Sequence, residues 1–188
     1  MEARNDDSAA AVLTNDEQLA WRSFLRGTSL LLEQLNQDME RSCGLALNEF
    51  EVLAALSEAP TRRVRMSKLA DDLVHSRSRL THTVRRLENK GFVERVRCKE
   101  DGRGIFCRLT DAGLAKFEQS SPHQAISVRE RLVQQMTNEE FMELGRIYRK
   151  VLGWGDDGPE PPSPDDFCCR PQGFRREHGT DEHRADER

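Results

Sequence analysis

Apolar residues recur at three- and four-residue steps along most of this chain and alternate only once, around a glycine-bearing turn between residues 92 and 109. That contrast restricts the fold to a mainly α domain carrying one small β-hairpin. Residues 1–14 read as a flexible leader. From Asn15 onward Trp21, Phe24, Leu25, Leu31, Leu32, Leu35 and Met39 mark one face of a long helix. It should stop near Cys43 and Gly44, because glycine suits a left-handed cap. A shorter helix fits 47–58, with Asn48 near its start and Phe50, Leu53 and Leu56 inward. Ala59-Pro60 ends it, since a residue before proline is pushed out of the helical region. Arg62 to Met66 reads as a short strand. Ser67 is expected to cap a helix that buries Leu69, Ala70 and Leu73. Ser76 is expected to cap the next, which buries Leu80, Val84 and Leu87 and closes at Lys90-Gly91.

In the hairpin, residues 92–98 form the first strand and Glu100 to Gly104 the turn. Residues 105–109 return with Ile105, Cys107 and Leu109 on one face. Thr110 can cap a helix over 112–120 that Pro122 should break or kink, with a further segment running to about Met136. Thr137 or Asn138 then caps a last helix bearing Phe141, Leu144, Ile147, Tyr148, Val151 and Leu152. Beyond Gly153, five of the seven prolines fall among many acids, so 153–188 is expected to be a disordered acidic tail.

Composition narrows the class. Only 36% of residues are hydrophobic and 33% are charged, so a partner is expected to complete the core, or part of the chain lies outside it. No apolar run approaches the roughly 18 residues of a membrane span. The first residues, Met1 to Asp7, are polar and acidic with no apolar segment behind them, which points to a cytoplasmic protein. The five cysteines are odd in number and scattered, unlike a secreted disulfide framework. The net charge of −4 is unevenly spread: residues 62–108 hold 14 Lys/Arg against 6 Asp/Glu, while the regions on either side are acidic or balanced. A basic centre in an acidic chain suits a polyanion. No nucleophilic triad, phosphate-binding glycine loop, zinc-protease motif or paired catalytic carboxylates occur, so neither an enzyme nor a resident cofactor is expected.

Two short helices joined by a brief turn are the arrangement that sets a recognition helix in the major groove. On a wheel at about 100° per residue the 76–91 helix gathers Leu80, Val84 and Leu87 on one side. Ser78, Thr81, His82, Arg85 and Asn89 lie opposite, with side chains suited to base edges, and Arg85 could bind guanine bidentately. Arg79 and Arg86 lie on a flank suited to phosphate, while Arg77 falls closer to the buried side. The hairpin carries Arg95, Arg97 and Lys99, with Arg103 at its tip. A narrow ribbon of this kind can reach a minor groove, Asp101 steadying Arg103.

The run from Met66 to Gly113 resembles the core of the MarR family of transcription regulators. Met66-Ser67-Lys68-Leu69-Ala70 resembles the start of that family's helix-turn-helix. Leu80-Thr81 through Arg86-Leu87-Glu88-Asn89-Lys90-Gly91-Phe92-Val93 is similar to its recognition helix and exit. Asp101-Gly102-Arg103, followed by Leu109-Thr110-Asp111-Ala112-Gly113, matches its wing in residue type and spacing. The resemblance implies a winged helix-turn-helix with N- and C-terminal dimerisation helices over 15–152, the DNA-binding lobe at 47–109 and the dimerisation helices at 15–43 and 112–152. It also implies a homodimeric, ligand-responsive repressor that binds a pseudo-palindromic double-stranded DNA site. Within the family small aromatic or phenolic effectors bind between the dimerisation helices and the lobe, and here Trp21, Phe24, Arg26 and His75 are the candidate lining.

Other readings stay open. Cys98, between Arg97 and Lys99, has basic neighbours that favour a reactive thiolate, and Cys107 on the partner strand could cross-link with it. A thiol- or metal-responsive DNA-binding sensor is therefore one alternative, although Cys168, Cys169, His178 and His183 match no familiar metal spacing. A winged-helix protein-interaction module without DNA binding is another.

Overall fold

The structure, a computed structural model, describes residues 12–97, 104–153 and 155. The described residues form six α-helices and a small sheet: α1 (Asn15–Cys43), α2 (Leu47–Glu58), β1 (Arg63–Arg65), α3 (Met66–Asp72), α4 (Arg77–Asn89), β2 (Val93–Arg97), β3 (Ile105–Leu109), α5 (Asp111–Arg131) and α6 (Asn138–Val151). This is the mainly α architecture with a hairpin wing that the periodicity implies. The sheet is antiparallel in the order β1-β3-β2, with Arg63 opposite Arg108 and Val93 opposite Leu109.

The helix ends follow local chemistry. Thr14 caps α1 through a reciprocal pair with Glu17, and Gly44 closes it at φ 64°. The Ser76 hydroxyl accepts from Arg79 N–H at the start of α4, and Thr110 and Thr137 cap α5 and α6 likewise. Ser67 does not cap α3. That helix begins one residue earlier, at Met66, and Arg65 precedes it without a side-chain cap, because β1 delivers the chain directly into its first turn.

Two further expectations are corrected. Pro122 does not interrupt the helix, since α5 runs unbroken from Asp111 to Arg131. Packing against α1 and α2 outweighs the lost backbone bond, and the Ser121 hydroxyl donates to the Phe117 carbonyl at 2.9 Å one residue before it. In β3 the simple alternation fails as well: Ile105 is exposed, whereas Phe106, Cys107 and Leu109 are buried. Phe106 is buried outside the main core cluster, with the Arg63 and Arg65 guanidiniums 4.8 and 5.4 Å from its ring centre.

One core is shared by α1's C-terminal end, α2, α3, α4 and the sheet, through Met39, Leu53, Leu56, Leu69, Leu80, Val84, Leu87 and Cys107. The start of α5 is locked onto it, because the Phe92 carbonyl accepts both the Thr110 N–H and its hydroxyl. Farther along, Arg131 and the Ser127 hydroxyl of α5 donate to Asp38 of α1 at 2.6–3.1 Å, joining the two long helices. The N-terminal half of α1 and all of α6 stand apart from this core. Leu19, Trp21, Phe24, Leu25, Leu30 and Leu32 are exposed on α1, and no residue of α6 is buried. Among the described residues no helix is long and apolar enough to cross a membrane.

Candidate nucleic-acid interface

Helix α4 divides as its sequence implies. Leu80, Thr83, Val84 and Leu87 are buried, whereas Ser78, Thr81, His82, Arg85 and Asn89 are exposed. Arg77 and Arg79 are exposed too, so Arg77 belongs to the outer surface rather than the flank of the core. Thr81 donates its hydroxyl to the Arg77 carbonyl at 2.7 Å, leaving its oxygen as an acceptor toward solvent. The inner side is pinned by Asn48 of α2, whose amide donates to the Thr83 hydroxyl at 3.1 Å. An exposed strip of hydrogen-bonding and cationic side chains thus sits on a helix whose rotation is fixed.

Two arginines assigned to DNA contact from the sequence also form ion pairs within the fold. Arg86 donates Nε to Glu49 Oε1 at 3.1 Å, and Lys90 donates Nζ to Glu49 Oε2 at 2.8 Å. Glu49, which sequence reasoning missed, is wholly buried at the first turn of α2 and also accepts the Ala46 N–H. Burial alone would push its carboxyl up. The Lys90, Ala46 and Arg86 hydrogen bonds outweigh that and hold it below the usual range. A capping pattern with alanine rather than Ser or Thr at the cap hid this residue.

Arg95 turns back onto α4, donating to the Thr81 carbonyl at 3.3 Å with Nε 3.4 Å from Glu88. It joins hairpin to helix. Arg97 is exposed at the last described position of β2, opposite Ile105. Lys99, Asp101 and Arg103 lie outside the described residues.

Of the effector candidates, the structure brings Trp21 and Phe24 together. Trp21 stacks on Phe24 at 5.8 Å, and Phe24 lies 6.1 Å from Tyr148 of α6. A cavity of about 860 Å³ between α1 and α6 is lined by Phe24, Leu31, Leu144, Tyr148, Arg131 and other residues, but not by Trp21, Arg26 or His75. His75 sits in the turn before α4, its ring nearly buried and Nε2 3.7 Å from Glu51. Burial, with the Arg79 charge, holds His75 below its ordinary pKa, which keeps the ring neutral near pH 7.

Cys107 is also misplaced as a reactive thiol. It is fully buried opposite Arg95, and burial pushes its thiol up to about 12, the wrong direction for a thiolate. Cys98, the proposed cross-linking partner, lies outside the described residues, as do the cysteines and histidines of 156–188.

Comparison with known proteins gives the same fold and class. A family model described as the transcriptional regulator SarA/Rot matches residues 34–119. The multiple antibiotic resistance protein MarR of Escherichia coli K12 is 34% identical over 73 residues, 39% of this chain and only 51% of that protein. The chain therefore spans about half the length of that relative. An uncharacterised HTH-type regulator of Bacillus subtilis, YdgJ, is 27% identical over 75% of this chain and 86% of its own length.

Among solved structures, AbsC, a MarR family transcriptional regulator from Streptomyces coelicolor, is 38% identical over 76% of this chain and 95% of its own, with a TM-score of 0.70. Sco3205 from the same organism, a MarR family regulator solved in complex with DNA, is 38% identical over 75% and 92%, with a TM-score of 0.72. With the helix order, the three-stranded wing and identity of this extent over nearly the full length of both structures, the chain belongs to the MarR family of transcriptional regulators.

Proposed function

We propose that the protein binds duplex DNA sequence-specifically as a homodimer and acts in the cytoplasm as a ligand-responsive repressor. The observation that carries this reading is the outer face of α4. Ser78, Thr81, His82, Arg85 and Asn89 are all exposed on a helix held by Asn48 and Glu49, at the centre of the chain's basic segment. Side chains of these types read base edges in a major groove. Sco3205 was solved with DNA and a mutant of E. coli MarR with operator DNA, which supports the same use of this fold.

In this reading residues 47–109 form the DNA-binding lobe, and 15–43 with 112–152 form the dimerisation helices. The exposed apolar residues of α1 and α6 are what a second copy would cover. Two recognition helices related by a two-fold axis require a pseudo-palindromic site. An aromatic or phenolic effector that binds one spacing of those helices better than another would shift DNA affinity, and repression is the sense the resemblance implies.

A fluorescence-anisotropy titration against duplexes from the region upstream of the protein's own gene, at low and moderate salt, tests the DNA-binding core of the proposal. Selective binding that falls steeply with salt is expected. Salt-independent or absent binding across that region and a randomised duplex pool would instead favour a protein-interaction module.

A further inference from the structure

Among the described residues, three helices are followed by a glycine in the left-handed conformation: Gly44 at φ 64°, Gly91 at 75° and Gly153 at 70°. The turn from α3 to α4 has the same conformation at a valine, Val74, with φ 52°. The hydrogen bonding matches as well. After α4, Gly91 N–H donates to Glu88 O and Phe92 N–H to Leu87 O, both at 3.0 Å. After α3, Val74 N–H donates to Asp71 O at 3.1 Å and His75 N–H to Ala70 O at 2.8 Å. Both are Schellman closures, in which the left-handed position is usually glycine.

A Cβ in that conformation crowds the neighbouring carbonyl, and a β-branched residue is the least suited to it. Packing does not explain the choice. Val74 is 76% exposed, and the side chain the turn buries is that of His75. The valine strains the turn without filling the core, so its side chain is available for something outside the folded chain.

Its position says what. Val74 lies two residues before the Ser76 cap, beside the exposed Arg77 and Arg79, at the end of α4 that leads into a major groove in helix-turn-helix docking. We propose that Val74 is a DNA-contacting residue, its isopropyl group packing on apolar surface of the duplex, either a thymine methyl or a deoxyribose, beside the recognition helix. This rests on the DNA-binding reading above.

The test uses the full-length protein and its Val74→Gly and Val74→Asn variants, since glycine and asparagine both accept the left-handed conformation. Thermal melting is measured with anisotropy titrations on a duplex that the wild type selects, at several salt concentrations. Both variants are expected to melt no lower than the wild type and to bind about tenfold more weakly. The salt slope should not change, because no phosphate contact is removed. Uracil-for-thymine duplexes then separate the two sources. If one such exchange weakens the wild type but not the variants, the contact is to a methyl group. If no exchange does so, it is to deoxyribose. Wild-type affinity in both variants would overturn the proposal, as would a lowered melting temperature in both, which would make Val74 a packing residue. Failure of the DNA-binding reading itself would show first, as absence of selective binding by the wild type, and the proposal would fall with it.

Discussion

At Gly113 an added Cβ would lie 2.0 Å from the Phe92 carbonyl oxygen and 2.8 Å from Leu109 Cδ1. The nearer atom is backbone and is already fixed by two bonds from Thr110, so it cannot move aside cheaply. Gly113→Ala is expected to destabilise the fold by about 3 kcal/mol, measured as a lowered midpoint in chemical denaturation. Glu49 makes a second prediction, with a definite sign. Its folded pKa is depressed, so its contribution is complete at neutral pH and is lost as pH falls through the folded value, below the ordinary carboxylate range of about 4. Glu49→Gln, which turns an amide toward Lys90 or Arg86, should cost about 1–3 kcal/mol at pH 7. Melting temperature followed from pH 7 to pH 3 should fall more steeply in the wild type than in this variant. Parallel curves would show that other groups dominate the acid response.

At the scale of the element, α4 and the hairpin carry two kinds of arginine that the sequence could not separate. Arg85 is exposed without a structural partner among the bonds described, whereas Arg86 and Arg95 tie the helix to α2 and to the hairpin. Arg85→Ala should therefore leave the melting temperature within a degree or two. It should weaken selective DNA binding by about 1–3 kcal/mol and relax preference at one position per half-site. Arg86→Ala and Arg95→Ala should lower the melting temperature, and their effect on DNA should follow from a less firmly held helix. Melting curves beside anisotropy titrations of the three variants distinguish the roles. If Arg86→Ala were as stable as the wild type, its link to Glu49 would be incidental.

For the whole molecule, the contrast lies between the well-packed lobe and the exposed ends of α1 and α6. Phe24, Leu30 and Leu32 on α1, with Met142, Ile147 and Val151 on α6, are each between 44% and 76% exposed, more apolar surface than isolated hydrophobes require. Light scattering at micromolar concentration should give twice the chain mass of 21.6 kDa. Phe24→Glu combined with Ile147→Glu should give a monomer whose lobe is still folded. A wild-type monomer would remove the two-fold geometry that the pseudo-palindromic site requires.

Much of this protein was legible in the sequence. Helical and alternating periodicities, and caps at Gly44, Ser76, Thr110 and Thr137, are properties of a few neighbouring residues, so α1, α2, α4, the hairpin and α6 could be read directly. The exposed face of α4 follows from the same local geometry, since side chains about 100° apart per residue segregate before any partner is known. Tertiary structure alone decided the rest. Pro122 is held inside α5 by packing against α1 and α2, and Phe106 is buried outside the core cluster, against arginines from β1. Arg86 is claimed by Glu49, 37 residues earlier in the chain, and His75 is set beside Glu51 of α2. Each of these depends on which distant group supplies a carboxylate, a ring face or a packing surface, and local periodicity carries no record of that.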